Sequence, residues 1–124
     1  MSIRAFDPGS NSAYILDDSI GIYIKYSSKR MTPWRFTFSP QHSAEIEKLR
    51  ASTPEIFGVL VCNDEGVVCL SHAELKTVLD DRDENHQWIS ATRHKREMYS
   101  VEGSDGRLRL KVGANDFPRK LFGQ

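Results

Sequence analysis

Two early segments of the chain alternate apolar and polar positions, which is the pattern of a β-strand with one buried face. In residues 20–26 isoleucines occupy every second position and Lys25 lies on the opposite face, and in residues 34–38 the aromatic residues Trp34, Phe36 and Phe38 alternate with Arg35 and Thr37. Residues 13–16 form a shorter apolar run. We predict a strand in each segment.

Two helices are predicted from their first residues. Ser39 can cap a helix whose first position, Pro40, needs no N–H donor, and this helix should end near Ser52. Ser71 and Glu74 have the spacing of a capping box at the start of the second helix. The buried sides of the two helices are expected to be His42, Ile46 and Leu49 in the first, and Leu75, Val78 and Leu79 in the second.

Residues 56–62 are continuously apolar, as expected for a strand that is buried on both faces. The turn formers at 63–66 predict that residues 67–70 pair back on this strand. Three further strands are predicted at 87–93, 97–102 and 107–112. In the last strand Leu108, Leu110 and Val112 alternate with cations, so Arg107, Arg109 and Lys111 should face solvent.

These elements predict one α+β domain over residues 1–124, with an irregular N-terminal arm at 1–12. We expect a mixed, largely antiparallel sheet of six to eight strands with two helices on one face, and a helical crossover that makes part of the sheet parallel. The residues on the apolar phase of their elements should be buried: Ile22, Ile24, Val59, Val61, Leu75, Leu79 and Leu110.

The net charge is zero, but the charges are unevenly distributed. Residues 1–39 carry five basic and three acidic side chains, residues 40–84 carry four and ten, and residues 85–124 carry eight and four. Basic flanks that met in the fold would suit an anionic partner, whereas mixed charges can also be a solvated surface. No membrane-spanning run or signal peptide is evident, so we expect a cytoplasmic protein.

The two cysteines, Cys62 and Cys69, are expected to be reduced thiols in or near the core, and they could approach each other across the predicted hairpin. With His72 they do not match the spacing of a structural zinc site, so no metal site is predicted. The sequence also lacks the Gly-x-Ser-x-Gly turn and the glycine-rich phosphate loops.

Asp17 and Asp18 end one predicted strand, and Lys25 lies on the next. Acidic residues and a lysine in this layout hold Mg²⁺ and the attacking water in metal-dependent nucleases. The order of elements over residues 13–80 resembles the PD-(D/E)XK, or restriction-endonuclease-like, superfamily. The resemblance implies a catalytic set of Asp17, Asp18 and Lys25. We expect no cofactor, except Mg²⁺ if the chain is such a nuclease. Tyr23 stands where the family has Glu, Asp or Gln, so we expect no robust Mg²⁺-dependent cleavage.

Two basic stretches suggest nucleic-acid binding, because cations neutralise phosphates and exposed aromatic rings stack on bases. The candidate residues are Lys29, Arg30, Trp34 and Arg35 in the first stretch, Arg93, Lys95 and Arg96 in the second, and Arg107, Arg109 and Lys111 on the last strand. The alternative interpretation places Trp34 in the core and the cations in solvated loops or at protected sheet edges.

The sequence therefore predicts a small nucleic-acid-associated protein that binds DNA or RNA and resembles a degenerate nuclease domain. The alternative is a protein-interaction module without enzymatic activity, such as a small regulator or a phage-encoded inhibitor. A homodimer formed through an edge strand is a third possibility. Salt dependence separates the first two, because phosphate contacts weaken steeply with salt and an apolar docking surface does not.

Overall fold

The structure is a computed structural model, and it describes residues 3–6, 12–79, 87–93 and 97–122. Within these ranges the elements are β1 (Ile3–Ala5), β2 (Ala13–Leu16), β3 (Ile20–Ser27), β4 (Trp34–Phe38), α1 (Pro40–Ser52), β5 (Glu55–Cys62), β6 (Gly66–Ser71), α2 (His72–Val78), β7 (Gln87–Thr92), β8 (Ser100–Gly103), β9 (Gly106–Arg107), α3 (Asp116–Arg119) and a final 3₁₀ turn (Lys120–Phe122). None of the described helices has the length and apolar character to span a membrane.

The nine described strands form two sheets rather than the single sheet of six to eight strands that we expected. The first sheet has the order β1-β2-β3-β5-β6, and the second has the order β4-β7-β8-β9. Among the described strands, only β3 and β5 pair in parallel, and the chain between them passes through β4 and α1. The predicted α+β class, the mostly antiparallel pairing and the parallel crossover are therefore confirmed.

Both main helices pack on one face of the first sheet, where two glycines allow close approach. A Cβ on Gly21 would lie 2.8 Å from Leu49 Cγ in α1, and a Cβ on Gly58 would lie 2.9 Å from Leu75 Cδ2 in α2. Both capping arrangements are formed as predicted, at Ser39 and at Ser71. His42 belongs to the cap of α1, since its Nδ1 accepts the Ser39 N–H.

The second sheet packs its inner face against the same side of the first sheet. Trp34, Phe36 and Phe38 of β4 are fully buried, together with Ile89 and Ala91 of β7. These residues share one apolar cluster with Tyr23 and Leu60 of the first sheet and with the buried sides of α1 and α2. The main core therefore lies between the first sheet and a layer formed by two helices and the second sheet.

A smaller apolar cluster lies on the opposite face of the first sheet. It contains Ile22, Val59 and Cys69, and Leu121 of the final turn covers it. Lys120 fixes this terminal segment, because its Nζ lies 3.0 Å from the Cys69 carbonyl oxygen, 3.0 Å from Glu74 Oε1 and 3.2 Å from Asp116 Oδ2. Apolar residues thus cover both faces of β5.

The cysteines lie on opposite faces of the β5–β6 hairpin. Cys62 belongs to the main core and Cys69 to the smaller cluster, and both are free. The expected approach of the two thiols across the hairpin is therefore wrong. Burial raises the pKa of both thiols to about 12, so both are protonated and unreactive at neutral pH.

Two sequence predictions fail at the ends of the chain. The predicted irregular arm contains β1, which pairs antiparallel with β2. The predicted strand at 107–112 consists only of Arg107 at its start and an isolated bridge at Val112. Leu110, expected in the core, is 82% exposed. The other predicted core residues are buried, except that Ile24 and Val61 are only partly so.

Gly21→Ala should lower the free energy of unfolding by about 1–3 kcal/mol, as overpacking in a tight core does. The added methyl group would meet Leu49 and Thr53 Oγ1, which are both buried. Chemical denaturation followed by fluorescence measures the change. An unchanged midpoint would show that α1 can move away from β3 without cost.

Candidate nucleic-acid interface

The second sheet has one buried and one solvent-facing surface, and the solvent-facing surface is polar. Because side chains alternate along each strand, the residues between the buried ones on β4, β7 and β8 all point outward. We call this surface the outer face; its members are Arg35, Thr37, Trp88, Ser90, Thr92, Ser100 and Glu102. Four of these seven side chains carry hydroxyls, one is a cation, one is an indole and one is a carboxylate.

Arg35 and Trp88 form a stacked pair on the outer face. The Arg35 guanidinium carbon lies 4.4 Å from the centre of a Trp88 ring. Trp88 is held in the central part of the sheet, between β4 and β8, and its backbone N–H donates to Ser104 Oγ at 3.3 Å. The pair therefore places a flat cationic group, itself exposed, above a fixed aromatic ring.

A bulge after β9 builds a groove beside the outer face. The Leu108 N–H donates to the Val101 carbonyl oxygen, so these two residues are opposite each other. If pairing continued regularly, residue 110 would lie opposite Tyr99. In the structure Val112 lies opposite Tyr99 instead. Two extra residues therefore loop outward between these contacts. The resulting groove of about 370 Å³ is lined by Thr92, Ser100, Val101, Glu102, Arg107, Leu108, Arg109, Leu110 and Lys111.

The three predicted cations of this segment border the groove and are exposed. Arg107 pairs with Glu102 at 2.8 Å and Lys111 pairs with Glu97 at 3.4 Å, and all four side chains are well solvated. Solvated pairs of this kind contribute about 0–1 kcal/mol each, so a phosphate can displace the carboxylate at small cost. Among the residues that the structure describes, Arg109 has no ion pair.

The first basic stretch reaches the same end of the second sheet. Lys29 and Arg30 lie in the exposed loop between β3 and β4. This loop is fixed to the end of β7, because the Arg93 N–H donates to Thr32 Oγ1 at 3.0 Å. The loop that carries both cations therefore lies at the end of β7, and neither cation lines the groove.

Two predicted binding residues have structural positions instead. Trp34 is 2% exposed, its Nε1 donates to the Lys29 carbonyl oxygen, and its ring packs edge-on against Tyr99. Arg93 lies on the inward phase of β7. Its Nε donates to the Glu97 carbonyl oxygen at 2.7 Å, and its Nη1 donates to the Glu65 carbonyl oxygen at 3.3 Å. Lys95 and Arg96 lie outside the described residues.

The acidic pair and the lysine of the nuclease hypothesis are not brought together. Asp17 and Asp18 form the tight turn before β3, and Asp18 pairs with Arg4 at 3.2 Å. Lys25 lies near the other end of β3, about 17 Å from Ile20 along the strand at the usual rise per residue. The expected contact between Lys25 and either aspartate is therefore absent. No cluster of three or more potential metal-ligating side chains occurs in the described ranges.

Lys25 instead lies beside α1. Its Nζ is 3.3 Å from His42 Nδ1 and 5.2 Å from the centre of the Phe38 ring. Burial lowers the pKa of Lys25 below its ordinary 10.5, and the charge of Glu45 opposes this shift. Glu45 also accepts a hydrogen bond from the buried Tyr23 hydroxyl at 3.1 Å. Lys25 is thus part of a half-buried polar cluster with His42 and Glu45.

Sequence reasoning did not single out Trp88. The signal was present, because Trp88 shares its strand phase with Ser90 and Thr92, whereas Trp34 shares its phase with two phenylalanines. The same alternation rule that makes Trp34 a core residue places Trp88 on the surface. An aromatic residue on a polar phase is the informative one.

Comparison of the chain with models of protein families, with curated proteins and with solved structures gave no match.

Arg93→Ala should lower the free energy of unfolding by about 1–3 kcal/mol, since it removes two hydrogen bonds from a charged donor to backbone carbonyls. Arg109→Ala is the matched control, and its effect should stay within about 0.5 kcal/mol. Urea denaturation of both variants measures the difference. Equal stability of the two variants would show that Arg93 does not hold these segments together.

The rate at which Lys25 reacts with an amine-directed acylating reagent should rise with pH, with a midpoint below pH 10.5. Burial favours the neutral, reactive form of this amine. Glu45→Gln should lower this midpoint further, since it removes the charge that favours the ammonium form. Peptide mass spectrometry across a pH series measures both midpoints, with exposed Lys48 as the internal reference for the reagent. A Lys25 midpoint at or above 10.5 would contradict the assignment.

Proposed function

We propose that this protein binds nucleic acid through the outer face of the second sheet and the cationic groove beside it. The observation that carries the proposal is the groove itself, where Arg107 of β9 and Arg109 and Lys111 of the bulge border a volume of about 370 Å³ that hydroxyl and apolar side chains also line. Its hydroxyl and cationic lining has the chemistry of phosphate recognition. The partner that fits is DNA or RNA held mainly by its backbone.

The cations nearest the groove support this orientation. Residues 85–124, which include three of the four strands of the second sheet, carry a net charge of +4, and Arg107, Arg109 and Lys111 contribute to it. A phosphate backbone is attracted to these three cations. We place the function in the cytoplasm, whose reducing conditions suit two buried free cysteines.

The proposed function is binding rather than catalysis. A Mg²⁺-dependent nuclease needs carboxylates around its metal, and Asp17 and Asp18 are separated from Lys25 by the length of β3. The groove carries one carboxylate, Glu102, which is already paired with Arg107. A nucleic acid held there would be positioned by cations and hydroxyls, and the described residues that line the groove include no further carboxylate to activate a water.

The logarithm of the binding constant for an oligonucleotide should fall linearly with the logarithm of salt concentration, and the double variant Arg109→Gln, Lys111→Gln should reduce the slope. Each lost phosphate contact on a single strand is expected to reduce the slope by about 0.7. Fluorescence anisotropy at several salt concentrations measures it.

Lys48→Gln is the matched control, because Lys48 is exposed on α1 and distant from the groove. This variant should keep the slope of the unmodified chain. The proposed site would be contradicted if no nucleic acid bound, or if Lys48→Gln weakened binding as much as the double variant does. Binding that is insensitive to salt would indicate an apolar contact instead, as a protein-interaction module would make.

A further inference from the structure

We propose that the Arg35–Trp88 pair is a stacking platform for an unpaired base, so that the nucleic acid bound at the outer face is single-stranded. This inference rests on the proposed function and specifies its substrate class. It depends on a different part of the surface from the groove, since neither Arg35 nor Trp88 lines the cavity.

The platform is unusual among the aromatic residues of the second sheet. Trp34, Phe36 and Phe38 point inward and are buried, whereas Trp88 points outward among hydroxyl-bearing residues. An indole on a solvent-facing sheet surface contributes little to the core. Trp88 lies on β7, an inner strand of the second sheet, and contacts a guanidinium at 4.4 Å. It is therefore a flat support for a further stacked group.

The exposed side of Arg35 is the surface on which a base can stack. Arg35 lies over the indole, with its guanidinium carbon 4.4 Å from the ring centre, and is itself solvent-exposed, so its guanidinium can receive a planar ring from the solvent side. Bases stack on arginine planes and on aromatic side chains alike, and every base offers such a face. The platform therefore selects for an accessible base rather than for a particular nucleotide.

The hydroxyl residues connect the platform to the cationic groove. Ser90 lies directly opposite Arg35, and Thr92 and Ser100 form the next outward pair along the sheet and also line the groove. Trp88 and Thr92 are about 13 Å apart along β7. A single strand can therefore place a base on the platform while its backbone follows the hydroxyls to Arg109 and Lys111.

A duplex cannot use both parts of this surface. Its base faces are occupied by their stacked neighbours, so only its phosphates are available to the protein. A double helix would contact the groove cations and leave the platform empty. The structure therefore points to tighter binding of single strands, with the difference arising at Arg35 and Trp88.

The test compares three probes of equal length, about 12 nucleotides, which lies within the ~4–16 nucleotides that a single-strand site covers. The probes are oligo(dT), an abasic oligomer with the same phosphates, and a duplex. Oligo(dT) should bind about tenfold more tightly than the abasic oligomer, because stacking adds to the phosphate contacts. It should also bind more tightly than the duplex.

Arg35→Lys and Trp88→Thr should both remove the advantage of oligo(dT) over the abasic oligomer. Arg35→Lys keeps the charge and loses the planar group, so its affinity for the abasic oligomer should be unchanged. Trp88→Phe keeps an aromatic ring and should retain most of the advantage. In the unmodified chain oligo(dT) should quench tryptophan fluorescence, and Trp88→Phe should abolish the quenching while still binding.

The outcomes separate this inference from the proposed function. Salt-dependent binding of all three probes with equal affinity would overturn the stacking platform and leave the groove as the site. Retention of the oligo(dT) advantage in Arg35→Lys, despite loss of the planar group, would also overturn it. Absence of binding to every probe would overturn both proposals.

Discussion

Strand β5 must be shielded from water on both of its faces, and the remaining elements are arranged to do this. Its apolar residues project alternately to the two sides of the first sheet. One side is covered by α1, α2 and the inner face of the second sheet, and Leu121 covers part of the other. Because the aromatic face of β4 is buried in the core, the second sheet exposes only its polar face to solvent.

The elements between residues 13 and 79 could be predicted because their signals are local. Alternation, a continuous apolar run and two capping residues are each read within one segment, and the structure has these elements close to the expected boundaries. The division into two sheets could not be predicted. Alternation shows which face of β4 is buried but not its partner strand, and β4 pairs with β7, which lies about fifty residues further along the chain.

The candidate site was predicted in part, and the error at residues 107–112 has one physical origin. Arg35, Arg107, Arg109 and Lys111 are exposed cations, as the polar phase of their segments indicated. The alternation of Leu108, Leu110 and Val112 suggested a continuous strand, but two extra residues relative to β8 expel Leu110. Because the bulge adds two residues, it preserves the inward phase of Leu108 and Val112, so periodicity alone does not reveal it. This same bulge creates the groove.

The chain has no net charge, yet this is compatible with binding a polyanion. The groove has its cations, and nearby carboxylates balance two of them. Glu102 and Glu97 pair with Arg107 and Lys111, which limits the mutual repulsion of three closely spaced cations. When a phosphate replaces either carboxylate, the cation exchanges one solvated pair for another and little folding free energy is lost. Arg109, between them in sequence, needs no such exchange. Net charge is therefore a poor guide to this surface, and the placement of each cation is what matters.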